Sequence, residues 1–318
     1  MKKVSIIGAG QLGSRHLQGL KTAQLEMEIW VVDASEESLR VAKERCDAVE
    51  STTTKTIHYA QSIETLPQEL DLVIIATSSK PRAAIIKSLL ARATVNYLVL
   101  EKFLFTRLHD YDEIEVLLKE KGVKCWVNCP RRMWPAYEEI RKVIKQDKPV
   151  TFEFVGQDWG MCCNSIHFVD VWMYLAGDSQ FTVDLSNIEP CVIESKRSGY
   201  IELLGKENFR SSNDDFLSVG CFSEYNGDIN VVITNDGNII MLNEGTGMWS
   251  VNGGEEHQNK TPFQSGLTGV VADEILTSGD CRLTPYPVSA QYHKPYLQAV
   301  MQFVNKLQGS DSDSCPIT

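Results

Sequence analysis

Gly8, Gly10 and Gly13 are spaced so that a backbone can fold around a phosphate, and Asp33 follows the last of them by 20 residues. The turn Gly8-Ala9-Gly10-Gln11-Leu12-Gly13 comes directly after the apolar run Val4-Ser5-Ile6-Ile7 and opens a helical pattern. In that setting the first glycine permits a tight turn, the second lets the backbone approach a pyrophosphate, and the third allows a helix to pack closely on a strand. Gln11 and Leu12 then stand at the helix mouth, where free N–H groups and the helix dipole favour negative charge. Asp33 ends the next apolar run, where a carboxylate can accept bonds from adenosine ribose hydroxyls, so the combination implies a bound dinucleotide. A glycine turn followed by a mere helix-capping Asp33 would have to reproduce strand, turn, helix, strand and acid in register. A carboxylate there repels a 2'-phosphate, which favours NAD over NADP, and Arg40 is too far along the sequence to offset it.

Two further positions have the chemistry of proton transfer. Glu101-Lys102 follows the run Tyr97-Leu98-Val99-Leu100, which places Lys102 at the carboxyl end of a strand, where open α/β sheets bind ligands. A lysine there can hold a substrate hydroxyl and help remove its proton, provided its surroundings are cationic or apolar; otherwise it is a solvated strand end. His167 and Asp170 are one helical turn apart, so both can share a helix face. A neighbouring carboxylate fixes an imidazole tautomer, and His titrates near physiological pH. The competing reading is a core histidine on a helix rich in Phe, Val, Trp and Met.

These residues need a scaffold, and the chain's 318 residues suit two domains. Up to about residue 125, short β-branched runs alternate with helical patterns, as in a doubly wound parallel sheet covered on both faces. Strands are predicted near 3–7, 28–33, 72–76, 97–100 and 123–127, and helices over 12–22, 36–46, 81–91 and 108–121. Residues 126–318 read as an α+β domain. Helices are predicted at 135–146, 164–175, 264–277 and 287–308, a strand at 150–156, and a large, open, mainly antiparallel sheet from β-rich segments at 191–194, 201–204, 217–225, 228–234, 239–242 and 248–251. The polar tail 309–318 is expected to be mobile. The fold class is therefore α/β, an N-terminal Rossmann sheet followed by the α+β domain, with the boundary at 125/126.

Composition narrows the partners. A net charge of −11 argues against nucleic acid, which needs clustered Lys and Arg. No run approaches the apolar length of a membrane span, and Met1-Lys2-Lys3 leads into glycines instead of an export signal, so no membrane association and a cytoplasmic location are expected. Nine scattered cysteines suit free thiols, with no zinc-like spacing and no metal expected. The second sheet has a face without an evident helical cover, which predicts a homodimer or homotetramer.

Five patches carry a resemblance: Gly8 to His16 with its trailing Arg15-His16, Ala76-Thr77-Ser78, Glu101-Lys102, Arg131-Arg132-Met133-Trp134-Pro135-Ala136-Tyr137, and Ile166-His167-Phe168-Val169-Asp170. In them the sequence resembles the glucose-fructose oxidoreductase, inositol dehydrogenase and rhizopine catabolism (Gfo/Idh/MocA) family of NAD(P)-dependent sugar dehydrogenases. The resemblance implies an enzyme acting on a hydroxyl-bearing carbon of a sugar, polyol or nucleotide sugar. It places catalytic roles on Lys102 and His167, and cofactor contacts on Ala76, Thr77, Ser78 and Glu101 as well as on the glycine turn. Arg131, Arg132, Asn164 and Asp170 fall to the substrate. Three positions depart from the family pattern: Phe103 replaces the proline after the lysine, removing a proline-based cis turn; Cys163 replaces the Asp one turn before the histidine; Pro130 replaces the Asn before the arginines. The departures at Phe103 and Cys163 favour an alternative, a non-catalytic sensor or regulator that binds dinucleotide or sugar on the same fold; retention of Lys102 and His167 favours the enzyme.

Overall fold

The β-branched runs do build a parallel sheet. In the computed structural model, which describes residues 1–177 and 180–318, the elements run β1 (Lys2–Ile7), α1 (Gln11–Lys21), β2 (Met27–Val32), α2 (Glu36–Asp47), β3 (Lys55–Ala60), β4 (Glu69–Ile75), α3 (Ser79–Arg92), β5 (Thr94–Leu100), α4 (Leu108–Lys121) and β6 (Lys124–Val127). There follow α5 (Pro135–Val143), β7 (Val150–Gln157), α6 (Met161–Ala176), β8 (Phe181–Ile188), the short pair β9 (Ile193–Glu194) and β10 (Ile201–Glu202), β11 (Gly205–Ser211) and β12 (Phe216–Phe222). The chain continues through β13 (Val231–Asn235), β14 (Asn238–Asn243), β15 (Met248–Val251), β16 (Glu256–Gln258), α7 (Gln264–Ser278), β17 (Thr284–Pro285) and α8 (Tyr286–Gln308).

Two units result. The first comprises residues 1–105, 112–130 and 262–286, and the second 106–111, 131–261 and 287–318. The sheet of the first unit runs β17-β6-β5-β4-β1-β2-β3, with β1 to β6 all parallel and β17 antiparallel at the edge. This is the doubly wound order, and the order reverses at β1, where ligands bind beyond the strand ends. Val4, Ile6, Leu72, Val73, Ile74, Leu98 and Val99 are buried without alternation, as in a sheet covered on both faces.

The predicted boundary at 125/126 is corrected here. Residues 262–286, read as part of the second domain, complete the first unit. The reason is close helix packing: a side chain at Gly269 would come 2.6 Å from the carbonyl oxygen of Gly19, and one at Gly19 would come 2.6 Å from Thr268 Cβ. Only the two glycines let α7 lie this tightly on α1. Asp273 on α7 also accepts from the backbone N–H groups of Gln24 (2.7 Å) and Leu25 (3.2 Å). β17 then pairs with β6.

The second unit is built on an eight-stranded sheet ordered β16-β15-β14-β13-β7-β12-β11-β8, antiparallel except for β7 beside β12. Alternate residues of β7 point into a core where Phe154 stacks on Phe168 of α6 and Phe152 meets the same ring at a tilt. α6 ends at Gly177, which is left-handed (φ 79°) and donates its N–H to the Met173 carbonyl. The opposite face of the sheet exposes Ile239 and Met241. β3, β8, β11 and β16 lie outside the predicted strands. The tail expected to be mobile is instead fastened: Cys315 N–H donates to Thr106 (2.9 Å), Ile201 N–H donates to Pro316 (2.9 Å), and Ile317 and Thr318 are buried.

Gly269→Ala is expected to lower the stability of the first unit by about 1–3 kcal/mol, since overpacking forces α7 away from α1 and outweighs the gain in helix propensity. Thermal unfolding followed by circular dichroism measures it; a melting temperature equal to or above wild type would contradict the packing account.

Candidate functional site

Register determines what stands at the carboxyl edge of the first sheet. Ile7 pairs with both Val32 and Ile75, Ile75 with Leu100, and Leu100 with Val127. The next residue in each strand is therefore Gly8, Asp33, Ala76, Glu101 or Asn128, and each extends the ladder by one backbone bond of 2.8–3.1 Å. Four of these five are residues that the sequence assigns to the cofactor.

Gly8 is held at φ +97°, and a side chain there would come 2.8 Å from Thr77 N and 2.9 Å from the Ala76 carbonyl carbon. Only glycine permits this approach. Gly13 is packed as closely, since a Cβ would lie 1.7 Å from the Gly8 carbonyl oxygen. Gly10 differs, because nothing lies within 4 Å of the Cβ it lacks. The backbone is thus bare where Gln11 and Leu12 begin α1, with N–H groups that have no partner one turn earlier in the helix. Asp33 accepts from Ala9 N–H at 2.7 Å and from Ser35 N–H at 2.8 Å, so it braces the glycine turn while its remaining lone pairs stay available to ribose hydroxyls. Thr77 Oγ1 is buried and has no hydrogen-bond partner among the described residues. The open space at Gly10, the helix mouth and this orphan hydroxyl fit a dinucleotide. Ser78 supplies the N-cap position of α3. Arg40 is engaged on the exposed surface of α2 with Glu37 and Glu44.

Glu101 and Lys102 are both buried, at 2% and 7% exposure, which removes the reading of a solvated lysine. Glu101, expected at the cofactor, has its carboxylate turned onto His16 Nε2 (2.8 Å) and Asn128 Nδ2 (2.5 Å). His16 Nδ1 meets Thr268 Oγ1 at 2.9 Å, and Asn128 also reaches Gln264 Oε1 at 3.0 Å. Burial pushes the Glu101 carboxyl up, but His16, Asn128 and the charge of Lys102 together hold it below the usual carboxylate range. The Lys102-Phe103 peptide bond is cis; absence of proline at 103 does not preclude a cis turn. Arg82, on α3 and 1% exposed, donates to the carbonyls of Phe103, Leu104 and Thr77, tying the lysine segment to the 76–78 loop.

In the second unit, α6 carries Asn164, His167 and Asp170. Asn164 Nδ2 donates to the Trp159 carbonyl at 2.6 Å. His167 is half-buried. Asp170 is 1% exposed and accepts from Arg132 Nε at 2.8 Å, while Arg132 lies over Tyr174. Arg131 makes a two-point contact with Glu244 (2.7 and 2.9 Å), which also accepts from Tyr137 OH at 2.6 Å. Its guanidinium lies over Phe168, 4.4 Å from the ring centre. Both arginines assigned to substrate are thus engaged by carboxylates and aromatic faces. Cys163 and Asn164 border a cavity of about 460 Å³ together with Trp159, Glu194 and Glu202. Among the described residues no cluster of three or more His, Cys, Asp or Glu could hold a metal ion, and no helix is long and apolar enough to cross a membrane.

Sequence reasoning passed over His16, Arg82, Asn128, Thr268 and Glu244. His16 lies inside the first patch and Asn128 one residue beyond a predicted strand, so their spacing offered a signal; Arg82 and Glu244 offered none.

Residues 2–129 match the sequence model of the Gfo/Idh/MocA oxidoreductase family, NAD-binding Rossmann fold. No curated relative matches the chain by sequence. Among solved structures, an oxidoreductase from Agrobacterium radiobacter in complex with NAD+, L-tartaric acid and magnesium is similar at 15% identity, over 96% of this chain and 97% of that one, with a TM-score of 0.71. UDP-N-acetylglucosamine 3-dehydrogenase from Acidithiobacillus ferrooxidans aligns at 13% identity over 93% and 96%, with a TM-score of 0.70. Biliverdin reductase from Synechocystis, in complex with biliverdin and NADP+, aligns at 14% over 95% and 98%, also at 0.70. At these identities the likeness is one of fold.

Gly10→Ala is expected to leave the melting temperature of the unliganded protein within about 2 °C of wild type while weakening NAD affinity by about tenfold or more, because the methyl group enters the space left for phosphate. Gly13→Ala should destabilise the fold itself. Calorimetric titration beside thermal melts separates the two, and equal behaviour of the variants would contradict the geometry.

Proposed function

We propose that this chain, whose residues 2–129 match the model of the Gfo/Idh/MocA oxidoreductase family, is an NAD-dependent dehydrogenase acting on a hydroxyl-bearing carbon of a sugar, polyol or nucleotide sugar. The observation that carries the reading is Lys102, buried at the same sheet edge that bears the glycine turn and Asp33. Lys102 holds the substrate hydroxyl and moves its proton, His167 orients the substrate, and Asn164 hydrogen-bonds a further hydroxyl. The dinucleotide, held by Gly8, Gly10, Gln11, Leu12, Gly13, Asp33 and the 76–78 loop, supplies the hydride chemistry, while the protein supplies placement and proton transfer. Arg131, Arg132 and Asp170 act indirectly, by holding α6 and the segment before α5. The preference for NAD rests on Asp33 and on the engagement of Arg40 within α2.

Turnover of a panel of sugars, polyols and nucleotide sugars, followed by nicotinamide absorbance in the near ultraviolet, tests the reading. Lys102→Ala should lower turnover by about 10²- to 10⁴-fold and shift NAD affinity by no more than about twofold. Equal losses in both would make the lysine structural. Binding of NAD with no turnover on any panel member would move the assignment to a non-catalytic sensor.

We also propose that a second copy of the chain covers the sheet face bearing Ile239 and Met241, which are 49% and 43% exposed. Light scattering at micromolar concentration should give a dimer or tetramer, and Met241→Glu should shift it toward the monomer. A wild-type monomer would remove the proposal.

A further inference from the structure

Glu207 on β11 is fully buried, yet it accepts two hydrogen bonds, from Ser165 Oγ on α6 at 2.5 Å and from Tyr296 OH on α8 at 2.8 Å. Tyr296 OH also stands 3.4 Å from the carbonyl oxygen of Met161, the first residue of α6. One carboxylate therefore joins a strand to two helices, and a hydroxyl beside it has a second acceptor within reach. Nothing in the proposed chemistry uses this group.

We propose that Glu207 is a positioning residue for α6, and that Glu207, Tyr296 and the Met161 carbonyl form a proton-dependent latch on the first turn of the helix that bears Asn164 and His167. The significance for catalysis rests on the function proposed above; the latch itself does not. As a carboxylate, Glu207 accepts from both hydroxyls. When it takes a proton from solvent it gains a donor, which Tyr296 oxygen can accept if the phenol turns its own hydrogen to the Met161 carbonyl. No covalent bond other than O–H changes, and one proton is gained. The two states differ in whether Tyr296 holds the backbone of α6 or only its neighbour's side chain.

The surroundings keep both states within reach. Burial pushes the Glu207 carboxyl up to about 7; the Ser165 and Tyr296 hydrogen bonds oppose the rise and the charge of Glu202 adds to it. Burial, together with the Glu207 charge, also lifts the Tyr296 phenol well above its ordinary value, so it serves as a neutral relay. The other titratable groups around the latch are Cys162 on α6, Glu202 on β10, whose carboxylate accepts the Cys162 N–H at 2.7 Å, and Cys315 beside Cys162. Because the folded-state value lies above the ordinary 4.5, Glu207 contributes its full stabilisation at acid pH, and that contribution is lost as pH rises through about 7.

The test is amide hydrogen exchange of residues 162–167 in the full chain from about pH 6 to pH 8, corrected for intrinsic rates, in wild type, Glu207→Gln and Tyr296→Phe. Wild type should lose protection by up to about tenfold as pH rises across that range, as expected for one linked proton. Glu207→Gln should be flat, because a glutamine side chain at position 207 cannot ionise; Tyr296→Phe, which keeps the buried carboxyl and its Ser165 bond but has no hydroxyl to offer Met161, should show a clearly smaller dependence than wild type. Where turnover is measurable, the wild-type pH profile should lose one limb near neutrality in Glu207→Gln, with NAD affinity unaltered. A flat wild type, or wild-type pH dependence retained in either folded variant, overturns the latch. Absence of turnover on every substrate would sink the proposed function alone, because exchange still decides the latch; should Glu207→Gln fail to fold, Tyr296→Phe decides it.

Discussion

Parallel strands ending in register are the constraint on which the first unit depends. Because Ile7, Val32, Ile75, Leu100 and Val127 share one level, the five residues that follow them form a single row. Each position in that row has a distinct task. Gly8 lets the chain turn, Asp33 reaches back to Ala9, Ala76 packs under the turn, and Glu101 and Asn128 form a buried polar pair beside Lys102. A slip of one residue in any strand would reverse the sides its residues face and scatter the row. The apolar cores of β1, β4 and β5 make such a slip costly, so hydrophobic burial fixes where the polar groups stand.

The second unit solves its placement problem by burying charge. Asp170 with Arg132, Glu244 with Arg131 and Tyr137, and Glu202 on the N–H of Cys162 all hold α6 or the segment just before α5. Taking such groups out of water is expensive, and the return is geometric: a carboxylate with two matched donors admits one arrangement, whereas an apolar contact tolerates several. Ser165 is bonded within this scheme and lies two residues before His167. The same burial that costs stability limits how far the helix can slide or turn.

Much of the first unit was legible because its signals are local. A glycine turn after a strand, an acid 20 residues on, and continuous apolar runs are read within short windows. β3 and β8 were harder to see, since they are edge strands with alternating exposure and carry no continuous apolar run like those of the central strands. On β11, Glu207 and Ser211 occupy inward positions that periodicity expects to be apolar, and a buried charge reads from sequence as a surface one. The domain boundary was missed for a different reason. Nothing within 262–286 announces its partner; only the fit of Gly269 against Gly19, far apart along the chain, assigns α7 to the first unit. Likewise, Lys102 and His167 stand out by residue type, while Arg82 on the Phe103 carbonyl, His16 on Glu101 and Glu244 on Arg131 depend on contacts made at long range.

The return of residues 262–286 also orders events in time. A ribosome that has delivered residue 130 has produced six of the seven strands of the first sheet, with the β6 edge bare and the α7-facing side of α1 open to water. The whole of the 131–261 segment must be synthesised before those surfaces are covered. The first unit therefore begins before its companion and finishes late, its closing piece arriving only after most of that companion has emerged.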